Sequence, residues 1–467
     1  MSIKKGQEIE IAITDMAVGG RGLARVDGLV VFVDHTMPGD IVIARILKKK
    51  KSYAEARLTA ILFHSPFRVI PPCPYSGFCG GCKWQFVDYP KQLDFKQQHV
   101  LDTLAHLALL DNVTVHPTLA SPDIFGYRNK MEFSLSDKRW LLPEEIADNG
   151  DGELKKNADF AVGLHVPGTF HKVLDIEACL LQPDEGNRIL KDAREFIRAS
   201  ALPVYGLKSH EGFWRFLMLR HSSFFDRWLI NVITAREEIS VIKDLAAHLT
   251  GRHPQIVSVV NNITSRKAGI AVGEYEVGIY GDPVIKDRIG NHEFEISANS
   301  FFQTNTRGAE NLYQVVRQYA ELSGEETVFD LYCGAGTISI FLADAASRIK
   351  GFEAVESAVT DAEKNCRING ISNCMFIRGD IRETLASAAE VPDVMIIDPP
   401  RVGMHKDVVS RVLEVGPEKI VYVSCNPATL ARDLGLMKDR YRVHEIQPVD
   451  MFPQTFHIEC VAKLTKI

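Results

Sequence analysis

Cys425 closes the run Lys419-Ile-Val-Tyr-Val-Ser-Cys-Asn-Pro427. The β-branched stretch predicts a strand covered on both faces, and Asn426-Pro427 bars its continuation. In open α/β sheets, ligands bind at the carboxyl ends of strands, so a thiol at that place is a candidate nucleophile as well as a candidate core filler. Three acids share this kind of position: Asp330, Glu353 and Asp398. Gly334 and Gly336 follow Asp330 and let a ligand approach the backbone closely. The third glycine of the dinucleotide fingerprint is absent, and Glu353 stands about twenty residues on, where a carboxylate can hold ribose hydroxyls. The pattern looks like a site for S-adenosylmethionine, a cofactor cationic at sulfur and free of phosphates.

The thiol then has a chemical use. C5 of uracil is a poor nucleophile, but a thiolate adding at C6 turns the ring into an enolate whose C5 can attack a methyl sulfonium. This covalent route splits one hard step into easier ones. The adduct must lose its C5 proton to a base, for which His457 and Glu459 are candidates. Glu459 begins an apolar strand, where desolvation would raise its pKa toward that of a useful base. Asp398-Pro-Pro-Arg401 resembles the motif of amino-group methylases but lacks its closing aromatic, which counts against nitrogen as the target.

A second constellation is Cys73, Cys79 and Cys82, three thiols within a glycine-rich stretch of ten residues. That spacing points to a metal or a cluster. Cys179 is the best candidate for a fourth ligand, although spacing does not assign it. One tight pair with two outliers favours iron–sulfur over zinc, whose four-thiolate sites use two tight pairs.

These residues need three kinds of frame. Residues 3–62 read as about five short strands with Gly/Pro turns, an all-β, OB-like barrel of the sort that holds single-stranded nucleic acid. Residues 91–110 carry apolar side chains at helical spacing. From about residue 125 to 284 strand-like and helical stretches mix, with a polar insertion at 140–154. Tyr127-Arg-Asn-Lys130 and Phe213-Trp-Arg-Phe216 there are basic-aromatic clusters that could contact RNA. From residue 293 strands and helices alternate, as in a doubly wound sheet closed by an antiparallel pair.

Composition bounds the rest. At 467 residues, 46% hydrophobic and 24% charged, the chain is an ordinary multidomain globular protein. Neither a signal-peptide pattern nor a run long enough to span a bilayer is present, so a cytoplasmic protein without membrane contact is expected. Nine irregularly spaced cysteines argue against a disulfide framework. The formal net charge of −6 hides a basic N-terminus: residues 1–66 hold ten Lys/Arg against seven Asp/Glu, concentrated in Lys48-Lys-Lys-Lys51. Nucleic acid would therefore bind through local patches.

Together the motifs Gly19-Gly-Arg-Gly22, Phe301-Phe-Gln-Thr-Asn305, Asp330-Leu-Tyr-Cys-Gly-Ala-Gly336, Asp398-Pro-Pro-Arg401, Ser424-Cys-Asn-Pro427 and His457-Ile-Glu459, with the cysteine loop, resemble the RNA uracil-5-methyltransferase family. The match extends over almost the whole length, to members with a TRAM domain and an iron–sulfur cluster. The resemblance implies Cys425 as nucleophile and Glu459 as base. It implies cofactor contacts from Gln303, Tyr332, Glu353, Asp380 and Asp398, and a 4Fe-4S cluster on Cys73, Cys79, Cys82 and Cys179. Thr337 stands where some relatives carry an asparagine that touches the cofactor.

The expected architecture is a TRAM barrel (1–62), an iron–sulfur loop (63–92) and a helical segment packing on the catalytic domain (93–124). A central α+β RNA-binding domain (125–292) and a class I methyltransferase domain (293–467) complete it. The expected target is a uridine of 23S rRNA, with the tRNA T-loop uridine or RNA cytosine-5 as alternatives. No protein partner is required and a monomer is expected.

Overall fold

The computed structural model describes residues 3–108, 113–147, 158–267, 269–388 and 390–467. Three main sheets carry the chain. The C-terminal one has eight strands, in the order Cys374–Arg378, Arg348–Glu353, Thr327–Leu331, Val394–Ile397, Lys419–Ser424, Glu459–Lys466, Tyr441–Val449, Thr114–Val115. The first five pair in parallel, and Glu459–Lys466 inserts antiparallel between Lys419–Ser424 and Tyr441–Val449. This is the class I methyltransferase arrangement. Strand order reverses between Thr327–Leu331 and Val394–Ile397, the switch point at which such sheets open a ligand crevice.

Alternation in the strands explains why the sheet is covered twice. Val421 and Val423 pack on the face held by helix Thr306–Ala320, whereas Ile420 and Tyr422 pack on the face held by Lys406–Val415 and Pro427–Met437. With both faces dry, the central strands Val394–Ile397 and Lys419–Ser424 are nearly unbroken apolar runs, and Asp330, Glu353 and Asp398 stand at or just beside strand ends. Helix Tyr89–Thr103 joins the second face, as the periodicity of 91–110 predicts, and runs into a π-turn at Leu104–Ala108. Just beyond it, Thr114–Val115 adds an edge strand to this sheet, a role too short to show as a pattern.

The N-terminal sheet has six strands between Glu8 and Phe63 around a core of Val31, Val33, Val42 and Ala54. Lys50 and Lys51 lie in the turn of the long hairpin Ile41–Lys49/Tyr53–Phe63, a solvated edge. The central sheet has seven strands, Val173–Asp175 at one edge and Tyr275–Tyr280 at the other, backed by helices Asp184–Ala199 and Ile239–Thr250. The hairpin Val284–Ile289/His292–Ser297 crosses the expected boundary at residue 293 and packs with Phe294 and Ile296 into the methyltransferase core. Of the 140–154 insertion, Pro143–Ala147 forms a short helix and 148–154 lie outside the described residues. Among the described residues no helix is long and apolar enough to cross a membrane.

One loop, residues 450–458, gathers the modules around the end of the C-terminal sheet. Lys83 and Trp84 donate backbone N–H bonds to the Gln454 carbonyl at 3.1 and 2.9 Å. Tyr127 Oη donates to the Pro453 carbonyl at 3.1 Å and Asn305 Nδ2 to that of Met451 at 3.1 Å. Gln92 both donates to the Gln454 side chain and accepts from its backbone N–H, at 3.0 and 2.9 Å. Fully buried Lys96 pairs with Asp450 at 2.6 Å, and Tyr89 Oη donates to the same carboxylate at 3.0 Å. Removing one partner of such a buried pair costs about 3–5 kcal/mol. Gln454 itself has φ 69°, left-handed for a non-glycine residue, and is held there by these bonds.

Candidate active site

The strand ends open into a cavity of about 690 Å³. Six residues singled out from the sequence line it: Gln303, Tyr332, Glu353, Asp398, Cys425 and Glu459. Each is there for a local reason. Cys425 follows the last residue of its strand, and Asn426 caps the next helix by accepting from the Ala428 N–H at 3.1 Å, with Pro427 opening that helix. Glu459 is the first residue of the neighbouring antiparallel strand, where Ser424 pairs with Cys460. Thiol and carboxyl thus reach the same rim from strands of opposite direction. Tyr332, at φ 64°, turns the chain out of its strand, and Gly334 and Gly336 follow at 54° and 73°. A Cβ at Gly336 would lie 2.8 Å from the Phe376 ring, while Gly334 faces open space. The first glycine leaves room for a ligand and the second for the sheet behind it.

Glu353 is already oriented. Its carboxylate accepts from the Gly334 N–H at 3.0 Å and the Val355 N–H at 2.8 Å. Carboxylate oxygens have further lone pairs, so ribose hydroxyls can still be bound. Asp330 lies beneath the cavity, accepting from Ser339 Oγ at 2.6 Å, and its other oxygen has no hydrogen-bond partner among the described residues. Burial pushes Asp330 and Asp398 up to about 7, each helped by a neighbouring carboxylate. Burial, then Asp398, raises Glu459 well above the usual carboxylate range, while Arg401 opposes the rise. The Cys425 thiol is pushed up to about 11 by burial first and then by Glu459; Arg401 lowers it. An anionic, desolvated site of this kind favours a cationic ligand, and a carboxyl held near or above neutrality suits proton transfer.

Three expectations fall differently. His457, the other candidate base, is lowered to about 4 by burial and nearby cations, and its ring stacks on Phe456 at 4.2 Å between centroids. The Thr337 hydroxyl is hydrogen-bonded to the Tyr313 hydroxyl at 2.8 Å. Asp380 stands apart from the cavity-lining group: it caps helix Ile381–Ala386 and pairs with Arg382. Conversely, Arg128, Phe301, Arg401 and Phe452 line the cavity without having been assigned to it. The first lies in the basic-aromatic cluster at 127–130 and two others in quoted motifs, so the signal was a cation or aromatic inside a motif. A smaller cavity of about 180 Å³ adjoins Cys425 on its other side, walled by Phe456, His457 and Val18 of the N-terminal sheet's glycine turn.

Cys73, Cys79, Cys82 and Cys179 all line one neighbouring cavity of about 540 Å³. Cys179 is brought in by Asn187, whose side chain accepts from its N–H at 2.8 Å. Burial pushes Cys79 up to about 11 and Cys82 to about 12, so these thiols need a cationic centre to become thiolates. Among the described residues no such group closes tightly enough to hold a single metal ion. Four soft donors lining one cavity have the chemistry to hold a soft metal centre or cluster. Arg128 and Thr304 line this cavity and the one at Cys425, so the two are adjacent.

Comparison with known proteins agrees with this anatomy. Residues 3–59 match the TRAM domain model and 282–467 the model of tRNA (Uracil-5-)-methyltransferase. An uncharacterized RNA methyltransferase of Chlorobaculum tepidum is 44% identical, covering 98% of this chain and 96% of its own. One of Porphyromonas gingivalis is 41% identical over 97% and 99%. The crystal structure of Pyrococcus abyssi tRNA (uracil-54, C5)-methyltransferase in complex with S-adenosyl-L-homocysteine is 29% identical, with a TM-score of 0.76, over 98% of this chain and 100% of that one. The chain is an RNA methyltransferase and belongs to the TRAM-bearing RNA uracil-5-methyltransferase family.

Proposed function

We propose that this enzyme methylates C5 of a uridine in structured RNA. The observation that carries the reading is the meeting of Cys425 and Glu459 at one rim of a cavity whose other walls are Gln303, Tyr332, Glu353 and Asp398. S-adenosylmethionine, when bound there, supplies an electrophilic methyl group on a sulfonium. Glu353 would hold the ribose hydroxyls, and Asp398 and Tyr332 would face the cationic end. The target base leaves its stack to reach the thiol. Cys425 Sγ, as thiolate, bonds to C6 and the ring electrons move to C5, which takes the methyl group. Glu459 then accepts the C5 proton, the C6–S bond breaks, and the thiolate is restored. Arg401 is the chain's own cation beside the thiol and favours its ionised form. Asp380, already paired with Arg382, is the least supported of the cofactor contacts.

Cys73, Cys79, Cys82 and Cys179 would hold a 4Fe-4S cluster. Its part is structural, since methyl transfer needs no electrons: it would tie the loop ahead of Lys83 and Trp84 to the central sheet. The enzyme is taken to act as a monomer without a protein partner. The division into 1–62, 63–92, 93–124, 125–292 and 293–467 serves as a working map, with the hairpin at 284–297 counted with the last part. The sequence resemblance points to 23S rRNA. The Pyrococcus abyssi enzyme, named for tRNA, favours tRNA as the second reading. Nucleoside analysis of RNA incubated with pure protein should show 5-methyluridine and none with Cys425→Ala. Product formed at full yield by Cys425→Ala, or 5-methylcytidine alone, would overturn the reading. Mapping in a strain lacking the gene separates ribosomal from transfer RNA.

A further inference from the structure

The central sheet holds a cavity that the methylation reading does not use. It measures about 450 Å³, within the roughly 300–1,000 Å³ of ordinary ligand pockets. Three loops and two strand ends build it. Phe170 lines it with 78% of its surface exposed, edge-on to the His171 ring at 5.3 Å between centroids. Tyr205 and His210 come from a second loop, joined Oη to Nδ1 at 3.2 Å. His210 sits at φ 60°, in the left-handed region that His tolerates better than most non-glycine residues, and this turns its ring toward Tyr205. Lys267 comes from a third loop.

The floor is Arg215. Trp214 pairs with Thr234 and Phe216 with Ile233, so Arg215 is the extra residue of a β-bulge, a device that re-aims a side chain. Its guanidinium is fixed by the carbonyls of Thr264 and Arg266 at 2.9 and 2.6 Å and lies 4.3 Å from the centre of the Tyr205 ring. No acidic side chain lines the cavity among the described residues. A planar guanidinium, an ammonium and aromatic rings make up the chemistry that stacks bases and neutralises phosphates, with Glu274 the acidic group that acts on Arg215 from nearby. Position adds to this. His165 lines both this cleft and the cysteine cavity, which in turn abuts the cavity at Cys425. The cysteine cavity thus shares lining residues with each of the other two.

We infer that this cleft is a second nucleotide-binding site, taking an unpaired base and its phosphate from the same RNA whose target uridine meets Cys425. The inference rests on RNA being the substrate. It gives the central sheet a task in choosing that RNA: only a substrate with an unpaired nucleotide within reach of the cleft gains the extra contacts.

Phe170→Ala and Lys267→Ala test it in the full-length protein, with His210→Gly as a further variant that removes the ring. The affinity of each for an unstructured RNA oligonucleotide is measured by fluorescence anisotropy. It should fall at least about fivefold, the size of a lost stacking or cation contact, while turnover at saturating RNA stays at the wild-type level. The same oligonucleotide carrying 4-thiouridine should photocross-link to peptides holding Phe170, His210 or Lys267. Affinity within about twofold of wild type in all three variants, or cross-links absent from these peptides, would overturn the site. So would a polyglutamate competitor that removes the cross-link as well as unlabelled RNA does, which would assign the cleft to an acidic protein. Binding and cross-linking need no methyl transfer, so they stand or fall separately from Cys425 chemistry.

Discussion

Replacing Glu459 by glutamine should make Cys425 more reactive and the enzyme slower. The thiol is pushed up to about 11, by burial first and by the Glu459 carboxylate second. Glutamine keeps the shape and removes the charge. A like charge within reach typically moves a pKa by about 1–3 units. Cys425 is only part-buried, and solvent screening brings this to about one unit. The thiol midpoint should therefore move from about 11 to about 10. Below the midpoint the thiolate fraction gains tenfold per unit, so alkylation near about pH 9 should run about ten times faster. Turnover should fall by roughly 10²–10⁴, the usual contribution of a positioned base. RNA should then stay bonded to Cys425 as an adduct that has gained its methyl group and kept its C5 proton. The assay is alkylation with iodoacetamide across pH, read by mass spectrometry on the Cys425 peptide, beside a denaturing gel for the RNA adduct. A midpoint unmoved in Glu459→Gln would refute the electrostatic argument. Unchanged turnover would refute the base assignment.

Asp398 and Asp330, pushed up to about 7, give the site a pH dependence of definite sign. Their folded pKa lies above the unfolded value of 3.8, so they add no penalty in acid, and their contribution to stability falls as pH rises from about 4 to about 7. Cofactor binding runs the other way: calorimetry should show affinity for S-adenosylmethionine falling as pH drops through about 7, toward tenfold per unit, and S-adenosylhomocysteine, neutral at sulfur, falling less. Cys179→Ser should lower the iron and acid-labile sulfide of anaerobically purified protein and its melting temperature together; iron and sulfide at the wild-type ratio would remove Cys179 from the ligand set.

Much of this site was legible in the chain because its residues sit in local signals. Strand ends are marked by the switch from β-branched runs to Asn-Pro, Pro-Pro or Gly-x-Gly, so Asp330, Glu353, Asp398 and Cys425 could be placed on one rim before any coordinates. The three clustered cysteines were equally local. Cys179 lies 97 residues beyond Cys82, and only folding of the central sheet brings it to the same cavity. Asp380 carries a second role that its motif did not announce: it caps the helix Ile381–Ala386 and pairs with Arg382.

What sequence alone determined is therefore the candidate chemistry: a thiol, a candidate base, carboxylates suited to a cation, and three clustered soft donors. These follow from residue type and short-range spacing. What only the tertiary structure decided is how that chemistry is held and aimed. The antiparallel insertion of Glu459–Lys466 sets base beside thiol, and its pairing joins residues far apart in the chain. Loop 450–458 is tied by Gln92, Lys96, Tyr127 and Asn305, which lie up to 362 positions away. A bulge at Arg215 and a left-handed His210 shape the second cleft. Burial is a property of the packed whole, so the shifts of Cys425, Glu459 and Asp398 emerge only when the modules close around them.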